Sequence, residues 1–147
     1  ALQRIYVKDI SFESPNSPTV FQKQWKPEVK MDLGTKNTDL SGGHFEVVVS
    51  VTLTVTVEGM TAYIAEVQQA GIFQTEGLEG GQLAQALNAF APNLLFPYLR
   101  ETVDNILVKG SFPAILLSPV NFDALFAQAV MQKQKDAAAS ADETTAH

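Results

Sequence analysis

Phe45-Glu-Val-Val-Val-Ser-Val-Thr-Leu-Thr-Val-Thr-Val57 decides how this chain folds. Phe45, Val47, Val49, Val51, Leu53, Val55 and Val57 alternate with Glu46, Val48, Ser50, Thr52, Thr54, Thr56 and Glu58. Period 2 with β-branched residues is the pattern of a half-buried strand. Gly59 marks a turn, and Tyr63 to Phe73 returns as a second strand, which makes a hairpin. Leu2 to Phe12 and Val29 to Leu33 supply two more strands, while Gly34 to Gly43, rich in Gly, Thr, Asn, Asp and Ser, reads as a turn.

The second half has the helical period. Leu83, Ala86, Leu87 and Phe90 form one element that Pro92 is expected to end. Leu95, Leu99, Val103, Ile106 and Leu107 form a longer one, with Pro97 expected in its first turn and Gly110 at its end. Ser118-Pro119 reads as a cap, and Phe122, Leu125, Phe126, Ala129 and Val130 follow as a stripe. Residues 1–135 therefore form one domain of α+β class, a four-stranded antiparallel sheet followed by helices. Residues 136–147, without apolar anchors, read as a mobile polar tail. A sheet with helices on one side leaves its other face open, and on the long strand that face is Thr-rich.

Composition narrows the function. The 147 residues are 46% hydrophobic and 18% charged, which fits a globular domain with a sizeable core. A net charge of −6 argues against a nucleic-acid phosphate binder. No apolar run reaches the ~18 residues that span a bilayer, and no secretory leader pattern opens the sequence. The lack of cysteine excludes disulfides and thiolate metal sites and is compatible with a reducing cytoplasm.

Catalytic chemistry finds no foothold. His44 and His147 are the two imidazoles, and neither has a second His or a Cys at ligand spacing, so no metal site is expected. The serines lack the nucleophile-elbow context. Gly77-Leu-Glu-Gly-Gly81 lacks the Lys-Ser/Thr ending of a phosphate loop and reads as a turn. Glu101 and Asp104 share a side of the long helix and read as a solvated face.

Two features remain. Phe21 and Trp25 lie in a segment bounded by Pro15, Pro18 and Pro27, where neither a long helix nor a central strand fits easily. Either the loop folds back as a lid on its own core, or the two aromatics line an apolar cleft. The other feature is a charge pattern. Asp9, Ser11 and Glu13 share one strand face, as do Ile64, Glu66 and Gln68. If those strands are neighbours, they make either an acidic patch around Ile64 or an ordinary solvated face.

The strings Gln3-Arg-Ile-Tyr-Val-Lys-Asp-Ile-Ser-Phe-Glu13, Glu66-Val-Gln-Gln-Ala-Gly-Ile-Phe73, Ala91-Pro-Asn-Leu-Leu-Phe-Pro-Tyr98 and Leu117-Ser-Pro-Val-Asn-Phe-Asp-Ala-Leu-Phe126 closely resemble SecB, the bacterial protein-export chaperone family. The match runs in order from residue 3 to about residue 131, and departs from the family over Gly34 to Gly43 and after Met131. The resemblance implies a cytoplasmic homotetramer, a dimer of dimers in which two subunits share an eight-stranded sheet. It implies an ATP-independent holdase that keeps unfolded precursors competent for translocation and passes them to the motor ATPase SecA, without catalysis, cofactor or membrane insertion. The client groove it implies includes Phe21, Trp25, Val29, Met31, Leu33, Phe122 and Phe126. The acidic surface it implies for the basic, zinc-containing C-terminal segment of SecA comprises Asp9, Glu13, Ile64 and Glu66. A SecB-like chaperone dedicated to one partner such as an antitoxin, and a carrier of an apolar small molecule, are the alternatives.

Overall fold

The computed structural model describes residues 1–145, and His147 lies outside them. Four antiparallel strands, β1 (Leu2–Glu13), β2 (Glu28–Ser41), β3 (His44–Val57) and β4 (Met60–Gln74), stand in the order β1-β4-β3-β2. A short helix α1 (Gly80–Gln85) follows, then the long α2 (Ala91–Lys109) and the terminal α3 (Phe122–Thr145). The architecture is α+β, as the alternation and the helical stripes predict.

The alternation of β3 sorts its residues cleanly. Val47, Val49, Val51, Leu53, Val55 and Val57 are fully buried, and the threonines between them lie half-buried on the opposite face. The buried side meets Leu95, Leu99, Val103 and Leu107, successive turns of α2 on one line. Gly71 on β4 permits the close approach, since a Cβ there would lie 3.0 Å from the Leu95 side chain and 3.1 Å from the Arg4 carbonyl. Both hairpins turn on two residues with positive φ, Gly42-Gly43 and Glu58-Gly59, whose twist matches that of the strands.

Four local expectations are corrected. The segment Gly34 to Gly43 is mostly strand: Lys36, Asn37 and Thr38 pair with Val48, Val47 and Glu46, and only Gly42-Gly43 turns. A long, regular β3 offers a continuous ladder, and that pairing outweighs weak intrinsic strand preference. Pro92 does not end its helix. Ala86–Phe90 widens into a π turn directly before it, and the helical path continues into α2. Pro97 lies inside α2 on the exposed side, one turn after exposed Asn93, where water can serve the carbonyl that loses its partner. Helix α3 starts at Phe122, not at Ser118-Pro119, because the Asn121 side-chain oxygen caps the Ala124 N–H at 3.0 Å. The helix extends to Thr145.

Candidate functional site

The loop between β1 and β2 is pinned at three points. Val20 is buried in the core, the Ser14 hydroxyl donates to the Ala62 carbonyl at 3.0 Å, and the Asn16 amide donates to the Thr61 carbonyl at 2.9 Å. Held this way, Phe21 and Trp25 remain 48% and 39% exposed while resting on buried Phe112, with ring centroids 5.3 and 5.8 Å away. Phe112 in turn packs on Tyr63 at 4.8 Å and Phe12 at 6.2 Å, so the aromatic stack runs from the core to the surface. Between the loop and Ser111-Phe112-Pro113 opens a cleft of about 240 Å³. Lid and cleft are the same structure: the loop covers Phe112 on one side and lines a cleft on the other.

Edge strand β2 continues the apolar surface. Val29 and Met31 lie beside Val55 and Leu53 on the helix-facing side, yet they are 51% and 46% exposed. Leu33, next in that row, lines a second cleft of about 160 Å³ with Leu125, Phe126 and Ala129 of α3. Phe122 lines the same cleft from beneath: it is 2% exposed and packs edge-on to Phe96, so it forms the floor. Phe112, the hub of the first cleft, is the residue that pattern reading missed. Its signal was weak, one aromatic in a short irregular apolar segment.

The open sheet face carries the acidic residues. Pairing sets Glu13 beside Ile64, Ser11 beside Glu66 and Asp9 beside Gln68, all pointing away from the helices. The two ion pairs among the described residues, Lys8–Glu46 and Lys23–Glu58, leave Asp9, Glu13 and Glu66 outside them. At the other end of this face Lys8 donates to Glu46 at 2.6 Å, and Tyr6 donates to the second oxygen of the same carboxylate. These two hydrogen bonds hold the Glu46 carboxyl below its ordinary value, while burial first, and then Glu46, pushes the Tyr6 phenol up to about 12.

A pH dependence of stability follows. The depressed carboxyl contributes above the ordinary carboxylate range, and its share fades as pH falls through the lowered value. Tyr6 works the other way: its share is whole below the ordinary phenol value of 10.0 and fades as pH rises toward 12. Thermal unfolding followed across pH should show both arms. Glu46→Gln should flatten the acid arm, and an unchanged acid arm in that variant refutes the assignment.

The described residues hold no cluster of potential metal ligands and no helix long and apolar enough to cross a membrane. His44 is half-buried at the start of β3.

A family model described as preprotein translocase subunit SecB matches residues 1–133. The chain is 57% identical over 147 residues to the protein-export protein SecB of Marinobacter nauticus, covering all of this chain and 89% of that protein. It is 59% identical over 143 residues to the protein-export protein SecB of Hahella chejuensis, covering 97% and 90%. Among solved structures it resembles a SecB-like chaperone of Mycobacterium tuberculosis in complex with an antitoxin peptide, at 16% identity and a TM-score of 0.61 over 82% of this chain and 86% of that one.

Proposed function

The chain belongs to the SecB family and acts as a chaperone in protein export, and from that premise we propose that it is an ATP-independent holdase for unfolded precursors in the cytoplasm. The observation that carries this reading is the exposed pair Phe21 and Trp25 on buried Phe112. A holdase must accept many sequences, so it relies on non-directional apolar contact and on backbone pairing. Both are available here. The aromatic cleft, the row Val29–Met31–Leu33 and the α3 cleft are mainly apolar, and β2 is an edge strand of the sheet. Several weak subsites on one unfolded chain add through effective concentration. Folded proteins hide the segments these subsites take, so selection for unfolded clients needs no signal sequence. Clients then pass to SecA, which docks on the face of Asp9, Glu13, Ile64 and Glu66. The test is whether the purified protein keeps an unfolded precursor from aggregating without ATP; aggregation at the rate of the precursor alone defeats the reading.

The working particle is a homotetramer, a dimer of dimers. Leu94, Tyr98 and Val108 leave an exposed apolar stripe on α2, and Val7 and Ile10 do the same on edge strand β1. Burying such faces against copies of the chain removes apolar area from water, and joining two β1 edges would double the sheet to eight strands. Light scattering should report four chains of 15.9 kDa each. A stable monomer at micromolar concentration would rule this assembly out. The dedicated-antitoxin alternative is not favoured, since the relatives at 57% and 59% identity are export proteins.

A further inference from the structure

Glu101 and Asp104 share one side of α2, but Asp104 does not belong to a solvated face. It is half-buried, and one oxygen, Oδ1, accepts the backbone N–H of both Ile115 and Leu116, each at 3.2 Å. Those residues lie in the irregular strap between α2 and α3, the same strap that carries Phe112 near its start. The near end of the strap is fastened by the Phe112 N–H to the Leu107 carbonyl at 2.9 Å. The strap has left-handed backbone at two points, φ 67° at Ser111, just before the first tie, and 55° at Leu116, at the second. Such conformations in non-glycine residues persist only where the surroundings impose them. The carboxylate supplies two charge-assisted hydrogen bonds at the second of these points.

We infer that Asp104 is a positioning residue for client binding: by anchoring Ile115 and Leu116 it sets where the strap holds Phe112 beneath Phe21 and Trp25. The inference rests on the cleft's role in binding clients. The hydroxyl of buried Tyr63, which packs on Phe112, has no hydrogen-bond partner among the described residues. Burial, and after it the charge of Asp104, raises that phenol to about 12.

Trp25 is the single tryptophan and lies on Phe112, so its emission reports the cleft directly. Asp104→Ala should shift that emission to the red and weaken binding of a reduced, carboxymethylated client about tenfold, the scale of losing charge-assisted hydrogen bonds. Asp104→Asn keeps the acceptor oxygen and should restore most of both. Particle size checks the assembly of each variant. If Asp104→Ala does not fold, amide exchange on the unmodified protein decides: Ile115 and Leu116 should be protected, and fast exchange at both overturns the inference. Unchanged emission in Asp104→Ala, or an Asn variant as impaired as the Ala variant, overturns it too. Shifted emission with unchanged client affinity leaves the anchor standing and removes the cleft as the client site.

Discussion

A protein carrying Asp9→Lys together with Glu66→Lys should lose docking of the basic C-terminal segment of SecA altogether and keep its clients. Asp9 pairs with Gln68 and Glu66 with Ser11, so the two carboxylates are diagonal neighbours on adjacent strands of one face. Diagonal positions across a strand pair lie ~7–8 Å apart, close to the Debye length of about 8 Å at physiological ionic strength. Both charges therefore act on the same incoming cations. Reversal at both points turns attraction into repulsion, and the wild-type interaction should weaken steeply with added salt. The apolar clefts lie on the helix side of the sheet, away from this face, so client affinity should survive. Titrating the motor segment and an unfolded client against the same mutant particle separates the outcomes. A joint loss means a damaged fold, and no loss at all means that the carboxylates are an ordinary solvated face.

Phe21→Ala with Trp25→Ala should produce the complementary phenotype, with weakened client binding and intact motor docking. Truncating an apolar hot spot costs about 1–2 kcal/mol, and the remaining subsites dilute the sum, so a loss of roughly tenfold is expected. The double variant should stay assembled and folded, because both side chains sit at the surface, 48% and 39% exposed, and buried Val20 still pins the loop. Phe112→Ala provides the contrast. It empties the buried floor of the same cleft and should cost about 3–5 kcal/mol of stability, as large-to-small changes of buried aromatics do. Client affinity measured by displacement of a fluorescent unfolded chain, beside chemical unfolding, distinguishes the two. Unchanged affinity in a folded double variant would return Phe21 and Trp25 to a covering role alone.

The candidate surfaces were unevenly legible in the sequence. The acidic face follows from alternation, because residues two apart share a side wherever a strand forms; only the adjacency of β1 and β4 had to be supplied by the fold. Phe21 and Trp25 stand out because prolines bracket them. Phe112 and Asp104 do not, since their roles depend on what lies across from them. Phe112 matters through rings from three other segments, and Asp104 through two amides in a strap it does not belong to.

The sequence by itself determined what is periodic: the buried face of β3, the stripe of α2, the α+β class, and the ordered run of strings that resembles SecB. Periodicity is a local property, imposed by a backbone that repeats every two or 3.6 residues, so a short window reads it. The tertiary structure alone decided what is not periodic. It extended β2 to Ser41 because β3 offered the ladder, carried a helix past Pro92 through a wider turn, and sank Phe122 into the core while leaving Leu125 outside. The first and the last of those outcomes are each a contact between residues distant in the chain. The free energy of such a contact depends on the partner's position, and no local window contains that position.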